Sequence, residues 1–248
     1  MFLKLYNQIL NKIFQLNQLY FKYKIKYNYN KLYCEILEFK RNDISKHASW
    51  ITIYYVYYYI IKKKPKNILE LGSGLSTLVI LNAINYVRNI DSRYTPKFIS
   101  MENNKKYLIN TKKKIAKKYR SQVNLVLSKT IKDNFLIFSG YRYAKLPQIR
   151  YDFIFVDGPN YKDKNGMSCS FDIVYILKNI SKKFYCIIDK RTATTYIMQK
   201  LIGNKSIKLS KINRISFLKV NYKNLKNSLN SNQFKKDFFN NIEFKGYY

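Results

Sequence analysis

The chain has 248 residues, 47% of them hydrophobic, which is enough to bury one substantial core and to form one domain with additions. Its 3 cysteines are an odd number without the spacing of metal ligands, so neither a disulfide framework nor a zinc site is predicted. Asn and Gln interrupt the N-terminal segment, which therefore lacks the apolar core of a signal peptide, and we expect a cytoplasmic location.

The charge is strongly biased, with 47 Lys and Arg against 14 Asp and Glu and a formal net charge of +33 at pH 7. Such a bias is typical of proteins that bind RNA, anionic lipid or acidic polymers. The lysines are spread along the chain, however, and Lys, Asn, Ile and Tyr are enriched together while Gly and Pro are sparse. This pattern favours the imprint of an A+T-rich genome on codon usage, with RNA binding as the alternative.

Residues 1–64 are predicted to form an N-terminal helical extension. Asp43 or Ser45 is placed to cap a helix that Pro65 ends. The first helix is predicted to have an apolar face at spacings of three and four, made of Phe2, Leu5, Ile9, Ile13, Leu16, Leu19 and Tyr20. We expect these helices to cover a sheet or to pack against a second subunit; contact of a basic amphipathic helix with an anionic membrane is the alternative. The apolar run 51–61 is too short to span a bilayer, so no transmembrane segment is predicted.

Strands alternate with helices between residues 65 and 221, which predicts a doubly wound, Rossmann-like α/β domain. The predicted strands are 67–71, 98–102, 123–128, 152–157, 185–189, 206–209 and 215–220, and the predicted helices are 75–87, 104–119, 170–180 and 192–202. The last two strands lie too close together for a crossover helix, so the seven-stranded sheet is expected to be mostly parallel with a terminal antiparallel hairpin. The basic tail 222–248 is weakly periodic and predicted to be loosely ordered.

The first strand runs into a glycine turn, Glu70-Leu71-Gly72-Ser73-Gly74, and then into a helix. Glycines permit a turn that a side chain would obstruct, and they let backbone N–H groups approach a ligand at a helix N-terminus. Only 7 glycines occur in the whole chain, so finding two of them here is informative. The segment predicts a nucleotide-type cofactor site.

Three further strands end in acidic residues, namely Glu102, Asp157 and Asp189. Because parallel strands place their ligand crevice at their carboxyl ends, these acids are expected to lie beside the glycine turn. A carboxylate at Glu102 is suited to accept hydrogen bonds from both hydroxyls of a ribose.

Two common nucleotide sites do not fit this pattern. An NAD site has three glycines in the first turn and an acid about twenty positions later, whereas here Thr77 replaces the third glycine and Glu102 lies further away. No Gly-Lys-Ser or Gly-Lys-Thr triplet follows Gly72, which excludes a P-loop.

Over residues 65–221 the arrangement resembles the class I S-adenosylmethionine-dependent methyltransferases. The segment 70–74 looks like their first motif, Glu102 like their ribose-binding acid, and Asp157 like the polar end of their fourth strand. The sequence Val156-Asp157-Gly158-Pro159 is similar to a subgroup of small-molecule and sugar O-methyltransferases. One departure is the segment 127–130, which has no acid where many members carry one near the adenine.

The resemblance implies an S-adenosylmethionine cofactor and a role for each motif residue. The backbone of Gly72, Ser73 and Gly74 would line the methionine part of the cofactor, and Glu102 would hold the ribose. Glu70 would orient the loop or contact the cofactor amine. The alternatives are that the glycines simply form a strand-to-helix turn, that Glu102 is a solvated residue at a helix start, and that Glu70 is purely structural.

The strand ends also suggest the chemistry. Asp157 is placed to act as a general base or metal ligand, and Asp189 could complete such a site. A divalent metal is possible but not favoured, because Asp189 is followed by Lys190-Arg191 instead of the Asn usual in metal-dependent O-methyltransferases. The two cations could instead bind a substrate carboxylate or phosphate.

Other candidates are weaker. Arg142, between the third and fourth predicted strands, could contact an anionic acceptor. Asp172 is expected to be a first-turn acid of a helix, and His47, the one histidine of the sequence, is expected to be structural. The leading hypothesis is methyl transfer to oxygen of a small molecule or sugar. An RNA methyltransferase and a non-catalytic binding protein on the same fold are the rivals, and the oligomeric state is left open.

Overall fold

The computed structural model describes residues 2–41, 43–44, 48–136, 138–159, 162–163, 166–167 and 169–225. Its α-helices are α1 (Phe2–Asn28), α2 (Asn30–Lys40), α3 (Trp50–Lys63), α4 (Leu75–Ile90), α5 (Lys105–Lys114), α6 (Asp172–Asn179) and α7 (Thr192–Ile202). Its strands are β1 (Asn67–Leu71), β2 (Lys97–Glu102), β3 (Asn124–Leu127), β4 (Thr130–Phe135), β5 (Phe138–Tyr143), β6 (Phe153–Val156), β7 (Lys162–Asp163), β8 (Gly166–Met167), β9 (Lys183–Asp189), β10 (Ile207–Ser210) and β11 (Ile215–Asn221).

Seven strands form one sheet in the order β10-β11-β9-β6-β1-β2-β3. The β9-β6-β1-β2-β3 part is parallel, and β11 is antiparallel to both β9 and β10. The described sheet therefore confirms the predicted fold class, including the terminal hairpin and the preceding helices. From β1 the chain first adds β2 and β3 on one side and later adds β6 and β9 on the other side, so β1 is the switch point of the strand order. In open α/β sheets, ligands bind at such a switch point.

The register of the strands brings the predicted acids together at the carboxyl-terminal edge of the sheet. Leu71 of β1 pairs with Met101 of β2 and with Val156 of β6, so the residues that follow these strands begin at the same level. Val156 is in turn level with Ile188 of β9. The side chains of the central strands are buried on both faces, so each strand is a short and mainly apolar run.

Helices cover both faces of the sheet. One core is formed by the N-terminal helices, α4 and alternate strand residues such as Ile68 and Phe153. The other lies under α6 and α7 and contains the intervening residues, such as Leu69 and Ile154. In the described part of the chain no helix is long and apolar enough to cross a membrane.

The start of α3 corrects one prediction. Ser49 caps the helix by accepting a hydrogen bond from the Thr52 backbone N–H at 3.1 Å. Asp43 does not cap it and instead accepts a hydrogen bond from the Asn110 side chain at 2.6 Å. The other predicted cap, Ser45, lies outside the described residues, as does His47.

The apolar face of α1 is a second correction. The apolar residues that the helix buries against the protein are Phe14, Phe21 and Ile25, which are 8%, 8% and 0% exposed. Most of the predicted face points away from the protein, with Leu16 64% and Tyr20 58% exposed. The helix is apolar on two opposite sides, so periodicity alone did not identify the buried one.

Other elements of the structure differ from the predicted ones in their bounds or were not predicted. The predicted helix 104–119 ends at Lys114, and a 3₁₀ turn follows at Lys117–Gln122. The antiparallel β4–β5 hairpin was not predicted. Of the predicted tail, residues 222–225 form a helical turn and the rest lies outside the described residues.

Candidate active site

The turn after β1 is in direct backbone contact with the turn after β6. Gly72 has a φ of +96°, and a Cβ atom there would lie 2.6 Å from the backbone of Gly158. The Leu71 carbonyl accepts hydrogen bonds from the N–H groups of Asp157 at 2.9 Å and Gly158 at 2.5 Å. The glycine at position 72 is therefore required by packing between two protein segments.

Gly74 lies in a different environment. It caps the N-terminus of α4, and its N–H donates to the Thr77 hydroxyl at 3.0 Å. A Cβ atom at Gly74 would meet no described atom within 4 Å. The turn thus leaves open space on one side of the helix N-terminus, where backbone N–H groups and the helix dipole favour polar or anionic ligand groups.

Glu70 lies below this turn and is fully buried. Its Oε2 atom accepts hydrogen bonds from the hydroxyls of Thr77 and Ser100, both at 2.6 Å. Its Oε1 atom has no hydrogen-bond partner among the described residues. Burial raises the pKa of Glu70 to about 7. Glu70 therefore ties α4 to β2 and fixes the position of the turn.

Glu102, at the end of β2, closes the other side of the turn. Its Oε1 atom accepts from the backbone N–H groups of Asn103 and Asn104 at 2.8 and 2.9 Å. Its Oε2 atom accepts from the Ser73 N–H at 3.1 Å and, more weakly, from the Ser73 hydroxyl at 3.3 Å. Burial raises its pKa in spite of these donors. All four acceptor positions are used, so a ligand hydroxyl must replace the Ser73 side chain.

Asp157 and Asp189 follow neighbouring strands and form an interacting pair. Burial, and then the charge of Asp189, raise the pKa of Asp157. Asp189 is 2% exposed, and its burial raises its own pKa. A carboxylate whose pKa is raised by burial and by a neighbouring acid binds a proton more readily than one in water. The strand ends thus supply a group able to accept a proton.

The N-terminal helices contribute to this pair. The Thr52 hydroxyl donates to Asp189 Oδ1 at 2.6 Å, and the Ser49 hydroxyl lies 2.8 Å from the Thr52 hydroxyl. Since Thr52 uses its proton for Asp189, Ser49 is the donor in the second bond. Our sequence reasoning missed both residues, although a Ser directly before an apolar run is a helix-start signal.

The three predicted cations have different positions. Lys190 lies beside the acids, with its Nζ atom 3.7 Å from Asp189 Oδ2 and a side chain that is 45% exposed. Arg191 donates a hydrogen bond to the backbone carbonyl of Asp157, so it supports the turn after β6. Arg142 pairs with Asp133 at 2.6 Å and stacks on Tyr175, which places it on the β4–β5 hairpin.

The remaining candidates are explained by packing. Asp172 is the first residue of α6 and accepts the Tyr143 N–H at 2.8 Å, as expected for a first-turn acid. Burial raises the pKa values of the Cys169 and Cys186 thiols, which are not bonded to each other. Within the described ranges no group of three or more His, Cys, Asp or Glu side chains could hold a metal ion.

No protein-family model matches the chain, and no curated protein matches it in sequence. Solved structures give partial likenesses. An O-methyltransferase of Streptomyces achromogenes involved in tomaymycin synthesis, crystallised with SAM, is 11% identical over 77% of this chain and 89% of its own, with a TM-score of 0.48. An O-methyltransferase of Bacillus cereus in complex with SAH is 11% identical over 80% and 96%, with a TM-score of 0.47. A methyltransferase of Geobacter sulfurreducens is 11% identical over 77% and 89%, with a TM-score of 0.46. The fold itself is established by the strand order and register given above.

Proposed function

We propose that the chain is an S-adenosylmethionine-dependent methyltransferase that acts on an oxygen of a small molecule or sugar. The observation that carries the proposal is the open space at Gly74, bordered by the α4 N-terminus and by the buried carboxylate of Glu102. The glycine turn, the ribose-type acid and a pair of proton-accepting acids lie at the carboxyl ends of adjacent parallel strands, at the switch point of the sheet.

The residues present fit such a cofactor. A ligand can approach the backbone at Gly74, because no described side chain fills that space. The Ser73 hydroxyl is 3.3 Å from Glu102 and 3.4 Å from the Thr111 hydroxyl, both long contacts. Ser73 can therefore release Glu102 at small cost, and the freed carboxylate oxygen would accept a ribose hydroxyl. When bound, the cofactor supplies a methyl group activated by its sulfonium centre.

The acids would handle the proton of the acceptor hydroxyl. The pKa of Asp157 is raised by burial and by Asp189, so its carboxylate is a stronger base than a carboxylate in water. Arg191 holds the turn that carries Asp157. The exposed amine of Lys190 is placed to bind an anionic group of the acceptor. The charges of Arg191 and Lys190 lower the pKa of Asp157 and so oppose the effect of burial. A fraction of the Asp157 side chains therefore stays ionised at neutral pH.

Calorimetric titration with S-adenosylmethionine, and separately with NADH, tests the proposal. We expect binding of S-adenosylmethionine alone, with or without magnesium. Gly74→Val should reduce the affinity at least tenfold, since its side chain begins in the open space. Ser73→Ala is the matched control in the same turn and should bind within about threefold of the parent.

Two results would contradict the proposal. Binding of NADH would reassign the cofactor, and absence of binding to either ligand would favour a non-catalytic protein. Gly74→Val that binds as tightly as Ser73→Ala would show that the open space at Gly74 is not the cofactor site.

A further inference from the structure

Helix α1 has an exposed apolar face opposite the one that packs on the protein. The exposed large side chains, here called the outer seam, are Tyr6 (58%), Ile9 (48%), Ile13 (36%), Leu16 (64%), Tyr20 (58%), Tyr23 (52%) and Tyr27 (80%). Leu5 and Leu19 border it and are 54% and 51% exposed. A helix apolar on two sides is suited to burial on both, and contiguous exposed apolar patches of this size mark interaction sites.

The spacing of the outer seam identifies the shape of its partner. Its residues follow one another at intervals of three, four, three, four, three and four along the helix. This alternation is the seam of a coiled coil, in which each apolar residue enters a gap between residues of a facing helix. The same spacing lets a helix lie on a lipid surface, so the choice between the two partners follows from the register and the exposed area.

The outer seam can pair with itself if the second helix runs in the opposite direction. With Ile13 opposite Leu16 of the second copy, Ile9 falls opposite Tyr20 and Tyr6 opposite Tyr23, so six of the seven residues of the outer seam are paired. Parallel pairing would instead place each tyrosine against its own copy. The antiparallel register gives two equivalent halves, as a closed two-fold dimer requires.

The charges beside the seam agree with this register. The described α1 has no Asp or Glu, and its flanking lysines include Lys12 and Lys26. In the antiparallel register Lys12 lies beside Leu19 of the second copy and Lys26 beside Leu5, so these lysines avoid one another. Their alkyl chains can cover leucine while the amines stay in water.

The exposed area is also sufficient. The nine residues of the outer seam and its border are about half exposed. At roughly 200 Å² for a fully exposed large side chain, they present on the order of 900 Å² on each copy. A stable protein interface buries about 800 Å² per partner.

We propose that α1 joins two copies of this chain through an antiparallel coiled coil along the outer seam. The proposal is independent of the methyltransferase function, because it uses no residue of the candidate site.

Sedimentation equilibrium of the whole chain tests the dimer. The parent should have twice the 29.9 kDa mass of one chain. Leu16→Glu should have the mass of one chain at the same concentration, since a charge in the seam must be desolvated on pairing. Gln15→Glu is the control: it adds the same charge one residue away, on an exposed side of α1 outside the seam, and should remain a dimer.

Disulfide trapping tests the register. In a Cys34→Ser background, which removes the exposed native thiol, the variants Ile13→Cys and Leu16→Cys are mixed and oxidised. Antiparallel pairing predicts mainly the mixed disulfide, because residue 13 faces residue 16 of the other copy. Two homodimeric disulfides in place of the mixed one would overturn the register. A parent that sediments as a single chain would overturn the dimer, and its Leu16-dependent binding to phosphatidylserine vesicles would assign the seam to a membrane instead.

Discussion

The two glycines at positions 72 and 158 show how closely the protein backbone is packed at the edge of the sheet. A Cβ on Gly158 would lie 2.3 Å from Cα of Gly72, and a Cβ on Gly72 would lie 2.6 Å from the backbone of Gly158. The colliding atoms belong to the backbone, so no flexible side chain can move aside to relieve the contact. The two turns therefore act as one rigid unit below the open space at Gly74.

Alanine at position 72 should therefore destabilise the protein much more than alanine at position 74. Gly72→Ala introduces a backbone collision at a residue with positive φ, and we expect the melting temperature to fall by roughly 5–10 °C. Gly74→Ala meets no atom and should melt within about 2 °C of the parent. Thermal unfolding by circular dichroism distinguishes them. Equal losses in both variants would show that the contact is not responsible.

Glu70 should make stability dependent on pH. Its pKa is raised from 4.5 to about 7 in the folded state, so between these values the folded chain holds a proton that the unfolded chain has lost. The contribution of Glu70 to stability is therefore greatest below pH 4.5 and falls as the pH rises to 7, by on the order of 3 kcal/mol at most.

Glu70→Gln mimics the protonated side chain and should reduce this slope. Gln still offers an oxygen to Thr77 and Ser100, so the contacts to α4 and β2 can persist. The free energy of unfolding in urea, measured from pH 5 to 7.5, checks the prediction. Glu38→Gln, on an exposed part of α2, is the control and should leave the slope unchanged. A slope unaltered by Glu70→Gln would mean that other buried acids, such as Asp172, produce it.

At the scale of the elements, α3 links the N-terminal helices to the candidate site. Its capping residue Ser49 and its buried residue Thr52 form a chain of hydroxyls that ends at Asp189. The same turn is held by Gln18 of α1, which accepts the Trp50 N–H at 2.7 Å. The helices that precede the sheet thus position a carboxylate 137 residues away in sequence.

Thr52→Val should change the pH dependence of the proposed methyl transfer. Valine has nearly the shape of threonine but cannot donate to Asp189, whose charged form loses a hydrogen bond. The pKa of the acid pair should rise, and the rising limb of the kcat/KM profile of methyl transfer should move to higher pH. Thr195→Val is the control, because its hydroxyl is also buried but contacts Ser216, not an acid. The prediction fails if both variants have the parent profile.

The elements differ in how far the sequence determined them. The central strands were predicted because burial on both faces makes each an apolar run with a polar end. The β4–β5 hairpin was missed because polar residues such as Lys132 and Asp133 interrupt its apolar ones. The buried side of α1 could not be predicted, since both of its sides are apolar. In the candidate site, the acids were predicted because they follow apolar strands directly in sequence. Thr52 was not predicted, because it reaches Asp189 only through tertiary packing.

On the scale of the whole molecule, the sheet separates two cores and presents its site at one edge. Every strand-end acid lies at this edge because the register of β1, β2, β6 and β9 is level. The edge also includes the turn between β10 and β11, where the Arg214 carbonyl accepts the Lys190 N–H at 2.8 Å. This turn is in contact with α1, since Asn17 donates to Asn213 at 2.8 Å and Arg214 stacks on Phe14.

Helix α1 therefore has one side on the surface, and its other side is connected to Lys190 by two successive contacts, of Phe14 with Arg214 and of Arg214 with Lys190. A change in how that helix is held at the surface would therefore reach Lys190 through Arg214. If two chains pair through α1 as proposed, the protein concentration affects ligand binding at the site. Because linkage is reciprocal, a ligand that binds more tightly to the paired chain would also strengthen the pairing. The affinity of the site would then depend on the concentration of the protein as well as on that of the ligand.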